Sequence, residues 1–307
     1  MLTRERAERM LDAPSFADAA KLLTDCGYDD FSGLNAGEID AALNAKRNAL
    51  FDEISAACPD SAVTGVFRVK YDYHNIKVIL KSAALNLNSD GVFIRCGRFA
   101  PEKLREAYEE DSYSGLPQIM ADAVKEASSV LARSSNPQLA DFVLDSAMFE
   151  EMSGLAADSP FLSGYVKAVI DAANLKSCVR AVRMGKDTAF LKSVLIARGS
   201  ADTDRLAGAI SGEGFESVFK STELEQAAVL ADAAVSGGSL TGFELACDNA
   251  MNAYLSRAKL IAYGEEPVAA YLAAMENEIT AVRIILSGRL SGINPAILKE
   301  RLRDFYA

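Results

Sequence analysis

The sequence predicts an all-α protein, and three observations carry that expectation. Ala, Leu, Glu, Lys and Arg, the strong helix formers, are abundant, while Pro occurs only 8 times and Trp never in 307 residues. Alternating β-branched runs are scarce: the best, Val63 to Val69 and Gly91 to Cys96, are short and do not clearly alternate. Finally, one helix-like stretch returns. Asp72, Asn75, Ile76 and Lys77 stand in it as acid, two residues, Asn, aliphatic, base; Asp171, Asn174, Leu175 and Lys176 repeat this 99 residues later. Glu278, Ala281, Val282 and Arg283 form a looser third copy another 107 residues on. Three copies predict three similar units, 1–110, 111–206 and 207–307, each near the common size of a small domain.

The elements follow in order. Thr3 is placed to cap a first helix, and a second follows Ser15 with Ala19, Ala20, Leu22 and Leu23. Gly27 to Asp30 and Gly33 to Gly37 signal loops. Glu38 to Ala57 reads as a long amphipathic helix, broken at Pro59-Asp60-Ser61. The first motif helix is expected from about Ala62 to Leu87, stopped by Asn88 to Gly91, and Pro101 opens a short charged helix to about Glu110. In the second unit, Asp122 to Arg133 is helical and Pro137 opens another helix, with an apolar face at Leu139, Phe142, Val143 and Phe149. A loop is expected from Ser153 to Ser163, the second motif helix from Tyr165 to about Arg183, and a short helix capped by Gly199 to Thr203. The third unit has a Gly-rich gap at Ser236 to Gly242, a helix from about Phe243 to Ile261, the motif helix from Glu265 to Leu286, and a last helix from Ala296 to Tyr306.

Composition bounds the function. A net charge of −11 argues against non-specific nucleic-acid binding and against docking on anionic lipid through a basic patch. Cys26, Cys58, Cys96, Cys178 and Cys247 are scattered singly, with no CxxC and one histidine, so a Cys/His zinc site is not expected and the thiols read as reduced. No signal-peptide core and no run of about 18 uncharged apolar residues is visible, so no direct membrane insertion is expected.

On a helix, positions three, four, seven and eight apart share a face. From Asp72 that face continues as Asn75, Ile76, Ile79 and Leu80; from Asp171, as Asn174, Leu175, Cys178 and Val179; from Glu278, as Ala281, Val282, Ile285 and Leu286. Each acid therefore opens an apolar stripe that should face a core. A buried carboxylate is costly unless paired or hydrogen-bonded. Lys77 lies on another side of the helix from Asp72, so each acid needs a partner from elsewhere, another helix or an exposed backbone N–H. Asp72, Asn75, Lys77, Asp171, Asn174, Lys176, Glu278 and Arg283 are the candidate site residues, read as polar keys that organise helix packing.

Bond chemistry finds little support. His74 is the single histidine, and the other copies have Ala173 and Thr280 in its place. No HExxH, Walker loop or triad ordering is present. Gly212-Glu213-Gly214 mimics a dinucleotide loop, but Ser217 replaces its last glycine and no strand precedes it, so it reads as a turn. No cofactor is expected. A helical enzyme using Asp72, His74 and Lys77, and a helical scaffold or adaptor, stand as alternative readings.

The three motif copies are joined by Gly264-Glu265-Glu266-Pro267 with Tyr271, by Glu276, Glu278, Ile279 and Arg283, and by Arg301-Leu302 with Phe305-Tyr306. Together they resemble the C subunits of the V/A-type (vacuolar/archaeal-type) ATPases and ATP synthases, whose eukaryotic vacuolar counterpart is the d subunit. Ala281, where that family often has Asn, departs from the pattern, and 86–97 and 199–223 match weakly. The resemblance implies three helical domains around a pseudo-threefold axis, shaped as a funnel or socket, whose repeated polar residues would lock the domains or line the opening. It implies a non-catalytic central-stalk component on the cytoplasmic face of the membrane, with the central shaft subunits and the rotor ring (proteolipid) subunits as partners. Torque between ATP-linked rotation and proton or sodium transport would pass through it.

Overall fold

Fifteen α-helices and no strand make up the described residues of the computed structural model, which are 1–58, 62–88 and 91–306, with the backbone alone at Ser211. The helix break expected at Pro59-Asp60-Ser61, and the Ser89-Asp90 part of the next stop, lie outside them. In chain order the helices are α1 (Arg4–Asp12), α2 (Phe16–Lys21), α3 (Ala36–Ala57), α4 (Ala62–Leu85), α5 (Pro101–Glu109), α6 (Gln118–Ser134), α7 (Pro137–Leu155), α8 (Pro160–Arg183), α9 (Thr188–Val194), α10 (Thr203–Gly208), α11 (Gly214–Phe219), α12 (Glu225–Val235), α13 (Leu240–Ser256), α14 (Glu265–Leu290) and α15 (Pro295–Lys299). The motif copies lie in α4, α8 and α14.

The helix starts obey local chemistry. Thr3, Ser15, Asp187, Asp202 and Ser239 each accept a backbone N–H of the first turn they precede. Asn35 and Glu38 form a reciprocal capping box at α3, with bonds of 3.0 and 2.8 Å. Pro101, Pro137 and Pro295 open α5, α7 and α15, where a missing N–H costs nothing.

Some elements differ from expectation. Val63 to Val69 belongs to α4, because its valines at 63, 66 and 69 follow the helical repeat and are buried. The loop expected from Ser153 to Ser163 shrinks to 156–159, since Pro160 starts α8 instead of interrupting it. On α7 the buried face runs through Ala140, Leu144, Ala147 and Phe149, while Leu139 is exposed. The Gly212–Gly214 turn does open a helix, α11, with Gly214 at φ +78°. The last helix is shorter than expected: α15 ends at Lys299, and 302–306 are irregular.

The chain divides into two compact units, with divisions inside α3 and α8. One comprises 54–170 and 196–199. In it α4 packs on α7 and α5, and α6 packs on α7. Phe67 of α4 stacks on Tyr165, with ring centroids 5.4 Å apart. The other unit comprises 1–53, 171–195 and 200–307. It has two apolar centres. One gathers Leu175, Cys178 and Val179 with Leu206, Phe215, Phe219, Ala228 and Phe243. The other gathers Met10, Leu11, Leu23, Ile39 and Leu43 with Ile279, Val282, Ile285 and Leu286. Each such aliphatic side chain withdrawn from water contributes about 1.5–3 kcal/mol. The stripes of α8 and α14 therefore do face cores.

Candidate functional site: a polar lock built three times

Each motif acid closes on the backbone just ahead of a short helix. Asp72, fully buried on α4, accepts the N–H of Arg98 at 2.9 Å and of Phe99 at 3.1 Å. Asp171 on α8 accepts the N–H of Ser200 at 3.0 Å and of Ala201 at 3.1 Å. Glu278 on α14 accepts the N–H of Leu2 at 2.5 Å and the hydroxyl of Tyr28 at 3.0 Å. Phe99, Ala201 and Leu2 each stand two residues before a helix start, at Pro101, Thr203 and Arg4. The chain's first residues thus do for the third copy what an internal loop does for the other two. Charge-assisted bonds of this kind are the compensation a buried carboxylate needs.

The first lock carries the most charge. Arg98 Nε donates to Asp72 at 2.7 Å, and Arg98 Nη1 pairs with Glu151 of α7 at 2.7 Å. Tyr73 donates its hydroxyl to the other Glu151 oxygen at 2.9 Å. Burial pushes the Asp72 carboxyl above its ordinary value, against the pull of Arg98 and the two N–H groups. Burial likewise raises Asp171, against the Ala201 and Ser200 N–H groups and with no cation to help. Tyr73 and Tyr28 are pushed well up, by burial first and then by the carboxylate each one serves. Gly97 is required by this closeness. A Cβ there would clash with Asp72 Oδ1 and lie 3.3 Å from its Cγ.

Asn75 adds a clamp: it donates to the Ile94 carbonyl at 2.8 Å and accepts the Ile94 N–H at 2.9 Å. Asn174 is equally buried, and Ala281 fills the corresponding place in α14.

The bases that follow the acids tie each motif helix to a second long helix. Lys77 meets Asp145 of α7 at 2.5 Å, and Lys81 meets Asp141 at 2.7 Å. Lys176 meets Asp248 of α13 at 2.7 Å, and Arg180 meets Glu244 at 2.6 Å. Arg283 meets Asp40 of α3 at 2.7 Å and donates to Asn44 at 3.3 Å. The partner helices thus share a signature, an acid followed four residues later by Asp or Asn: Asp141/Asp145, Glu244/Asp248 and Asp40/Asn44. Sequence reasoning missed it, although Asp145-Ser146-Ala147-Met148 and Asp248-Asn249-Ala250-Met251 were there to be compared. It also missed Arg98, Glu151 and Gly97, which lie in or across from a weakly patterned segment. Asp248 is shared further with Arg303 at 2.7 Å, and Arg303 also donates to Asn277 of α14 at 3.0 Å.

Asp72, His74 and Lys77 have separate partners: Asp72 is spent on Arg98 and backbone, and Lys77 on Asp145. Burial holds the His74 imidazole below its ordinary value. Among the described residues, no group of His, Cys, Asp and Glu is arranged to hold a metal ion. No helix there is long and apolar enough to cross a membrane.

Comparison with known proteins agrees with the resemblance in the motifs. The C subunit of a V-type sodium ATPase from Enterococcus hirae is 23% identical over 314 aligned positions, covering 100% of this chain and 94% of that protein. The C subunit of an A-type ATP synthase from Halorubrum lacusprofundi is 26% identical over 290, covering 86% and 80%. The C subunit of a V-type ATP synthase from Thermus thermophilus is 25% identical over 189, covering 58% of each. The family model described as ATP synthase (C/AC39) subunit matches residues 1–301. This sets aside a scaffold unrelated to ATPases: the chain belongs to the ATP synthase (C/AC39) subunit family.

Proposed function

We propose that this chain is the non-catalytic central-stalk component of a rotary V/A-type ATPase or ATP synthase, coupling the central shaft to the membrane rotor ring on the cytoplasmic face. The observation that carries the reading is the family match over 1–301. The thrice-built lock supports it physically. A part that transmits torque must not flex between its helices. Buried carboxylates fixed on backbone N–H groups resist sliding, because any slip strands a charge in the interior. Asp72, Asp171 and Glu278 are accordingly locking residues, with Asn75 and Asn174 beside them. Lys77, Lys176 and Arg283 set the pairing of the long helices.

The recurrence of motif helix, acid-bearing partner helix and capped short helix supports three similar units, 1–110, 111–206 and 207–307, about a pseudo-threefold axis in a socket. In this reading the third unit borrows α1 and α3 from the first. The test is co-purification of the full chain with shaft subunits and with detergent-solubilised rotor ring. Retention of both is expected; retention of neither, where the rest of the ATPase assembles, overturns the assignment.

A further inference from the structure

Residues 302–306 are irregular, yet they are held at one residue after another. The Arg303 guanidinium pairs with Asp248 of α13 at 2.7 Å and donates to Asn277 of α14 at 3.0 Å. The Asp304 N–H donates to Asn249 Oδ1 at 2.9 Å, and the Asp304 carbonyl accepts from Asn252 Nδ2 at 3.1 Å. Phe305 packs against the apolar centre that holds Ile279 and Val282. Lys259 donates to the Tyr306 carbonyl at 2.6 Å and lies 4.4 Å from the centre of its ring. Asn277 Nδ2 donates to Asn252 Oδ1 at 2.5 Å. Arg303, Asn277, Asn252 and the Asp304 carbonyl thus form one hydrogen-bonded chain across α13 and α14, with both ends of each amide in use. Among the described residues, no backbone–backbone bond holds 303–306, so side chains alone set its place.

The segment crosses α14 where the third motif copy departs from the other two. Ala281 stands where Asn75 makes two bonds. With Asn277, Thr280 and Ile284, Ala281 meets 303–305 across a gap of about 10 Å³, hardly room for one water. Asp248 is also the partner of Lys176, so Arg303 joins the α8–α13 pairing of the second copy to the third motif helix. We infer that 303–306 is a releasable strap, with Arg303 as its hook, that fastens α13 to α14 in place of the asparagine missing at 281. Opening it breaks side-chain bonds and one ion pair but no backbone ladder. The Arg303 and Asp248 side chains are 35% and 27% exposed, so dissolved ions reach the hook. The lock at Asp72 cannot open this way, because release there strands a fully buried carboxylate. The strap therefore sets how firmly α13 is held on α14 without disturbing the core beneath it.

The test is amide hydrogen exchange, read by mass spectrometry on the full chain. Four proteins are compared: the unaltered chain, Arg303→Ala, Phe305→Ala, and Arg301→Ala as a control at an exposed position beside the strap. Arg303→Ala and Phe305→Ala should each speed exchange over 249–260 by about fivefold or more, leaving 54–170 within about twofold, and Arg301→Ala should change neither. Unchanged exchange over 249–260 in Arg303→Ala would overturn the strap. Equal acceleration over 54–170 would overturn it too, since that marks a general loss of stability. Should a variant fail to fold, the unaltered chain gives the same reading. Raising salt from about 0.05 to 1 M should then accelerate 249–260 and spare 54–170, and no acceleration over 249–260 counts against the strap just as decisively. The readout needs no partner, so its failure leaves the stalk reading standing.

Discussion

Replacing Gly97 by alanine places one methyl group where the first lock has no room. The added Cβ would clash with Asp72 Oδ1 and sit 3.4 Å from the Asp72 backbone nitrogen, so the helix cannot yield and the carboxylate must. Asp72 is held on one side by the Arg98 and Phe99 N–H groups and on the other by Arg98 Nε, so rotating away surrenders at least one of these bonds. Overpacking of this kind costs about 1–3 kcal/mol, and losing a bond to a buried charge adds about 1–3 kcal/mol. The expected destabilisation of Gly97→Ala is therefore about 3–4 kcal/mol. Urea unfolding followed by circular dichroism measures it, since the chain has no tryptophan. The cause is isolated by a double-mutant cycle. In an Asp72→Ala background the clash is absent, and Gly97→Ala should cost less than about 1 kcal/mol, a coupling of at least about 2 kcal/mol. A cost below about 0.5 kcal/mol in the native background, or equal costs in both backgrounds, would refute the account.

Gly288→Ala should destabilise by about 1–3 kcal/mol in the same assay, because its Cβ would press on the buried Leu298 side chain, 2.7 Å from Cδ1 and 3.0 Å from Cγ. Alkylation of the native chain should label Cys26 and Cys58 and spare Cys96, Cys178 and Cys247, with all five reacting in denaturant; burial also pushes the Cys178 and Cys247 thiols up to about 12. Early labelling of Cys178 would contradict its packing. His74 is held below its ordinary value, so the unfolded chain binds its proton first: stability falls as pH drops below about 6.5 and levels off below the folded value. His74→Gln should flatten that part of a pH-stability profile, and an unchanged profile would show that His74 does not contribute. Asp248→Asn should cost about 1–2 kcal/mol, since one carboxylate serves both Lys176 and Arg303, and Lys176→Met should cost less than Asp248→Asn.

The helices and the buried acids were legible because both follow from local pattern. Three apolar stripes, each opened by a carboxylate, require burial with compensation, whatever the compensating group is. The identity of that group was not legible. Arg98 lies 26 residues beyond Asp72, Glu151 is 78 beyond Tyr73, and Leu2 is 276 before Glu278. No helical period connects such pairs; only the packed chain does. Asp141/Asp145 and Glu244/Asp248 could have been found by aligning the helices that precede the motif helices, but their role could not, because α7 serves α4 and α13 serves α8. The alanine-rich α12 escapes a sequence reading for a related reason. Ala227, Ala228, Ala231 and Ala234 make the buried face, while the larger Val229 and Leu230 are exposed, so the stripe runs against side-chain size.

The bond between Leu2 and Glu278 has a bearing on synthesis. A chain made from its N-terminus produces α1, α2 and the start of α3 long before the helix that covers them. Met10, Leu11, Leu23 and Ile39 must wait, uncovered, for Ile279, Val282 and Ile285. The stretch 54–170 has most of its partners within itself and can consolidate first. The opening segment therefore completes its burial only once α14 has been made.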